Sequence, residues 1–184
     1  MKGNTEMTHP VFQTILDEET LNFDENLNRS VSLLLKKKPS TIAVSEPLTS
    51  GQVSERLTQF PGSSLYFKGS IICYVPLAKI QVGQISPNTV SKHGWLSTEI
   101  TLEMARNVRK MYKSDIGLSV SGVAGPGDAK IGNENTGKVF IALTTSTIEK
   151  VIPYQFDGSR KVIRQKASQA ALVLVKQLLM KQTT

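Results

Sequence analysis

The chain has one cysteine, Cys73, and two histidines, His9 and His93, in 184 residues. A single thiol forms no internal disulfide and builds no cysteine-rich zinc site. A metal site would need mostly carboxylates, and no ligand spacing for one occurs, so neither metal nor cofactor is expected. No apolar run approaches the roughly 20 residues needed to cross a bilayer, so no membrane partner is expected. Met1 to Asn28 lacks an apolar signal core and carries several acids. Secretion is therefore not expected, and the reducing cytoplasm is the expected compartment. There is no Walker A loop and no dinucleotide fingerprint. Zinc-finger, ribonucleoprotein-sheet and basic-zipper patterns are missing too.

What the chain does have is an ordinary globular balance, with 39% apolar and 20% charged residues. Its length suits one well-filled core. Lysine and arginine outnumber acids 22 to 15, giving a net charge of +7. The basic residues are dispersed over Lys36–Lys38, Arg106–Lys113 and Arg160–Lys166. That dispersal reads as solvated helix faces, so nucleic acid is not the expected partner.

Residues 1–25 are polar and weakly periodic, an extension that includes one short helical pattern at Val11–Leu16. From Asn26, Leu27, Val31, Leu34 and Leu35 mark one helix face, ended by Lys36–Lys38 and Pro39. Ile42–Val44 is a short buried strand. Val53, Leu57 and Phe60 mark a helix beginning near Gly51, and Pro61–Ser64 a turn. A strand centred on Ile71–Ile72 lies within 65–75. Ser86-Pro87 starts another helix, ending near His93-Gly94. Ser97 caps a helix carrying Ile100, Met104, Val108 and Met111. Ile116, Leu118 and Val120 alternate as a strand and lead into the glycine-rich loop Ser121–Asp128. Val139–Leu143 and Val151–Phe156 are too close to pair other than antiparallel. Pro153 puts the second of these at an edge or a bulge. Gly158-Ser159 opens a last helix. The pattern predicts one three-layer α/β/α domain with a mixed sheet, spanning residues 26–184.

Several residues can carry chemistry, and each has a plainer reading. Ser45 ends a strand, where α/β sheets gather their sites, but capping serines sit there too. Tyr74 and Lys79 flank another strand end. The amine serves as a base only if burial lowers its pKa from about 10.4; otherwise it is a solvated lysine. Successive N–H groups in the Gly122–Gly127 loop can cradle a phosphate or an oxyanion, or the loop is only a turn. Cys73 is most simply a small core residue.

Together, seven stretches in one order resemble the CinA C-terminal domain family, which also occurs as stand-alone nicotinamide mononucleotide amidohydrolase. Ala43-Val44-Ser45, Thr49-Ser50-Gly51 and Arg56-Leu57-Thr58 are similar to that family's Ala-Glu-Ser-Cys-Thr-Gly-Gly segment and its following helix. Pro61-Gly62-Ser63-Ser64 with Phe67 resembles its Pro-Gly-Ser-Ser turn. Tyr74 through Ala78-Lys79 is similar to Tyr-Ser-Asn-x-x-Lys, and His93-Gly94-x-x-Ser97 to His-Gly-Ala-Val-Ser. Ser121–Gly127 resembles its Ser-Gly-Ile-Ala-Gly-Pro loop. Gly137-Lys138-Val139 is similar to its Gly-Thr-Val strand, and Gly158-Ser159-Arg160 with Arg164 to its Gly-Asp-Arg…Arg helix start.

The resemblance implies deamidation of nicotinamide mononucleotide, with release of ammonia, and implies no metal. It implies Ser45 as nucleophile, Lys79 as general base and Tyr74 as helper. Thr49, Ser50, Gly51, Gly122, Ala124, Gly125 and Gly127 would hold the nucleotide, with Arg160 or Arg164 on its phosphate. It also implies a homo-oligomer. The chain departs from the family at this site. Val44 precedes Ser45 where the family has an acid. Glu46 replaces a cysteine, Pro47-Leu48 read as two inserted residues, Pro76 replaces an asparagine, and Asp128 replaces glycine. Two readings follow: a serine–lysine amidase of a pyridine nucleotide, or an inactive relative that binds a nucleotide or regulates.

Overall fold

The computed structural model describes residues 24–125 and 136–181. The extension read over residues 1–25 therefore lies almost wholly outside the described residues. Helix α1 (Glu25–Lys37) begins at Asp24, whose carboxylate accepts the Asn26 N–H at 2.8 Å. It ends with Lys36 and Lys37 on its negative pole, just before Pro39.

Five strands form one mixed sheet in the order β2-β1-β3-β4-β5. β1 (Ile42–Ser45) is an interior strand, buried along its whole length. It runs parallel to β2 (Phe67–Ile71) and to β3 (Ile116–Gly122). β4 (Lys138–Thr144) and β5 (Glu149–Gln155) complete an antiparallel meander from β3, as their short connection requires. Pro153 lies on edge strand β5, opposite Phe140, where its missing N–H disturbs least.

Helices cover both faces. α1, α2 (Gln52–Thr58) and the long α6 (Arg160–Lys181) pack over Ile42, Val44, Leu118, Val120 and Ile141. On the other face, α5 (Thr98–Met111) lays Val108 against Ala43, Ile71 and Cys73. Its Ile100 and Met104 meet Ile85 and the short α4 (Pro87–His93). Ser97 caps α5 by accepting the Ile100 N–H at 3.3 Å, and Ser86 caps α4.

Two expectations shift. The second strand ends at Ile71 rather than centring on Ile71–Ile72. Ile72 is half exposed, and the chain bends there so that the Tyr74 N–H reaches the Ile72 carbonyl. Met111 is exposed, because the inward face of α5 stops at Val108, one turn before Lys113 reverses the chain at φ +49°.

Because β1, β2 and β3 are parallel, their carboxyl ends open on the same edge of the sheet. The turn at 46–51, the segment 72–79 and the loop at 122–125 gather there. The first turn of α6 joins them, with Gly125 against Arg160.

Candidate functional site

The turn after β1 is built around a carboxylate. Glu46 is wholly buried. Its Oε2 accepts the Thr49 hydroxyl at 2.8 Å and the Val53 N–H at 3.0 Å. Its Oε1 accepts the Ser54 N–H at 3.0 Å and the Ser54 hydroxyl. The N-cap of α2 is Gly51, at φ +97°, and it has no side chain to cap with. Glu46 does that work from the end of the neighbouring strand. Backbone bonds from Glu46 N to Ile71 O and from Ser50 N to Glu46 O hold the turn tight. The sequence reading missed Glu46 as a site-former. The available signal was a glycine at the helix start with an acid a few residues upstream.

Ser45 sits at the last position of β1, between Ile71 and Ser119. Its relative exposure is 0%, and its Oγ has no hydrogen-bond partner among the described residues. The bond to the Lys79 amine that a serine–lysine mechanism needs is therefore not formed. Ser119 Oγ, beside it on the same sheet face, is likewise buried without a partner.

Tyr74 is 57% exposed, and its hydroxyl accepts from Arg160 at 2.6 Å. Lys79 lies on α3 (Pro76–Gln81), half-buried, with Nζ 5.9 Å from the centre of the Trp95 ring. Burial holds its ammonium below the usual lysine range. Burial in turn pushes the Cys73 thiol up, so it is a protonated core group, as its place in an apolar stretch suggested. Pro76 opens α3 at its first position, where a helix has no use for the N–H that proline lacks.

Arg164 reaches from α6 to the turn. It donates to the Thr49 carbonyl at 2.8 Å, while its Nε is buried with no partner among the described residues. Thr49 is buried, whereas Ser50 and Gly51 are partly exposed. In the glycine loop, the Val123 N–H is spent on the Lys138 carbonyl. A Cβ at Gly122 would stand 2.4 Å from that carbonyl, so this glycine is required for the close pairing with β4. Ala124 and Gly125 are buried beside the start of α6. Gly127 and Asp128 lie outside the described residues. Among the described residues no cluster of three metal-ligating side chains exists, and no helix is long and apolar enough to cross a membrane.

The capped turn, the glycine loop and two arginines at the start of α6 meet at the carboxyl edge of the sheet, the edge at which α/β folds gather their sites. The family is shown by comparison: the CinA C-terminal domain model matches residues 24–179, and the chain belongs to that family. A Bacillus pumilus protein named for competence and damage induction is 44% identical over 144 residues, which is 78% of this chain and 34% of that protein. A CinA-like protein of Amoebophilus asiaticus is 40% identical over 118 residues, 64% of this chain and 28% of that one. The chain thus spans about a third of the length of the curated relatives it matches. Among solved structures, a CinA superfamily protein from Escherichia coli superposes with a TM-score of 0.81 at 20% identity. That match covers 89% of this chain and 94% of that one, and likens the fold.

Proposed function

We propose that this domain binds a pyridine mononucleotide at the carboxyl edge of the sheet and does not deamidate it through Ser45. The burial of Ser45 carries the reading. A nucleophile must meet its substrate and its base, and this hydroxyl meets neither. Laid without a gap on the family's Ala-Glu-Ser-Cys-Thr-Gly-Gly, Ser45–Gly51 sets Glu46 on the glutamate, Thr49 on the threonine and Gly51 on the second glycine. Pro47 then stands where the family has serine, and proline has no group to attack with. The tight bonding of the turn supports the ungapped comparison, since there is no extra loop to house two inserted residues.

Binding groups remain in place. Arg164 offers a guanidinium to a phosphate from beside the Thr49 turn, and Arg160 stands with Tyr74 nearby at the same edge of the sheet. The apolar face at Ile72, Val75, Leu77 and Val82, next to edge strand β2, suits burial against a second copy, which light scattering tests.

Calorimetry with nicotinamide mononucleotide, run beside an ammonia assay, tests the function. Binding without ammonia is expected, with affinity unchanged in Ser45→Ala. Arg164→Ala should weaken it at least about tenfold, the scale of one charged hydrogen bond. Ammonia release that Ser45→Ala abolishes would restore the amidase reading. No binding at millimolar nucleotide would end both.

A further inference from the structure

The basic runs of the sequence meet different fates in the fold. Lys36 and Lys38 spend their amines on the Pro61 and Leu179 carbonyls, at 2.6 and 2.8 Å. Lys166 reaches the Asp157 carbonyl, and Arg160 and Arg164 belong to the site already described. The run at 106–113 instead lines a cavity. Arg106, Arg109 and Lys110 share one flank of α5, Lys113 lies just past its end, and Ser114 completes the wall of a space of about 360 Å³. That is the size of a small-ligand site. It lies where α5 ends and β3 begins, at the amino edge of the parallel strands, opposite the edge that holds Ser45. The wall is fixed by backbone: the Tyr112, Lys113 and Ser114 N–H groups donate to the Val108, Lys110 and Arg109 carbonyls at 3.1, 3.2 and 3.0 Å. Those bonds cover oxygens at the negative pole of α5, so an anion there meets cations first. The carboxylates nearby are committed. Glu149 takes the Arg106 fork, with Nε at 2.7 Å. Asp115 accepts the Thr41 N–H and hydroxyl at 2.8 and 2.7 Å, and Glu103 accepts the Ser86 N–H at 2.8 Å. Arg109 Nε donates to the Asp115 carbonyl at 3.1 Å, which leaves its terminal nitrogens uncommitted among the described residues. The Lys110 and Lys113 amines have neither an ion pair nor a hydrogen bond among the described residues.

We propose that this cavity binds a short phosphate chain, a di- or triphosphate, through Arg109, Lys110 and Lys113. These uncommitted cations call for more negative charge than the roughly two of a single phosphate. Arg109 supplies a planar fork for phosphate oxygens, and the lysines supply point charges that follow the chain. A nucleic-acid backbone would need a continuous basic track, and the bonded Lys36, Lys38 and Lys166 do not extend this one. The inference does not require a nucleotide to bind at Arg164, which lies at the other edge of the sheet.

Calorimetry of the full chain with inorganic triphosphate, free of divalent cations, is the test. One site per chain is expected, with affinity at least about tenfold above that for orthophosphate and falling several-fold between about 50 and 200 mM salt. Lys110→Ala and Lys113→Ala should each weaken binding about fivefold. Both lysines are exposed, so these variants should melt with the parent. Lys92→Ala, at an exposed lysine of α4 beside the other end of α5, should bind triphosphate like the parent. Nicotinamide mononucleotide titrated into Lys110→Ala should behave as with the parent, so a failure of that reading and a failure of this one are seen separately. Citrate bound as tightly as triphosphate, equal weakening in Lys92→Ala and Lys110→Ala, or no heat at millimolar triphosphate would each overturn the proposal. So would duplex DNA that binds more tightly than triphosphate and is released by Lys110→Ala.

Discussion

Removing the Glu46 carboxylate tests the account of the turn most directly. Glu46→Ala deletes the acceptor for four donors: the Val53 and Ser54 N–H groups and the Thr49 and Ser54 hydroxyls. The hydroxyls can rotate to other partners. The two N–H groups belong to the first turn of α2 and have no helical carbonyl to turn to. Each stranded donor costs about 1–3 kcal/mol. The substitution should therefore cost about 3–5 kcal/mol. That is a large part of the 5–15 kcal/mol by which domains are typically stable. At roughly 2–4 °C per kcal/mol for a chain this size, the melting midpoint should fall by about 10 °C. Glu46→Gln should cost less, about 2 kcal/mol, because one carbonyl oxygen remains while the amide nitrogen faces donors. Urea denaturation reads both, as a lower midpoint with an unchanged slope. The exposed Glu55, four residues into the same helix, is the control; its alanine variant should stay within about 0.5 kcal/mol of the parent. A Glu46→Ala protein within about 1 kcal/mol of the parent would refute the reasoning. Water would then be capping α2 as well as the carboxylate does.

Tyr154 is expected to make the fold sensitive to alkali. Burial pushes its hydroxyl up to about 12 from a tyrosine's ordinary value of about 10, so its contribution is intact below pH 10 and is lost as pH rises towards 12. Partial exposure limits the loss to about 2 kcal/mol, and Tyr154→Phe should flatten the stability–pH curve over that window. Arg56 is buried and donates to Asn28 at 2.8 Å, Ser168 at 3.1 Å and Gln169, and so ties α1 and α2 to α6. Arg56→Lys cannot reproduce that fork and should cost about 2–3 kcal/mol by thermal denaturation. Pro47→Ser should give nicotinamide mononucleotide a hydroxyl to react with. Ammonia release above the parent's background is expected, and its absence in a variant that still binds the nucleotide would count against Pro47 as the silencing residue.

Much of the architecture was legible because it rests on local signals. The 3.6-residue spacing of Leu27, Val31 and Leu35 and the alternation of Ile116, Leu118 and Val120 each describe a face that must be buried. Pro39, Ser97 and Pro153 mark boundaries by what their own atoms can and cannot bond. The end of β2 was not legible in this way. Ile71 and Ile72 are equally apolar, and only the geometry of an edge strand decides that the first is buried and the second exposed.

The site was harder to read for a related reason. A hydroxyl at a strand end is a nucleophile or a sheet filler according to which face its Cβ takes, and period-two alternation fixes that face from the neighbours. Ala43 packs under α5, whereas Ile42 and Val44 face α1 and α6. Ser45 must therefore share the α5 face with Ala43, inside the sheet, and its hydroxyl is lost to solvent. Glu46 could not be valued from sequence because its four donors lie three to eight residues ahead and meet it only when α2 folds back over the strand end. Once that carboxylate is recognised as the cap of α2, the register of the whole turn follows. Thr49 is held from one side by Glu46 and from the other by Arg164. On the proposed reading, the turn keeps its carboxylate cap while Pro47 takes the reactive position, so binding and cleavage should separate when Pro47 is restored to serine.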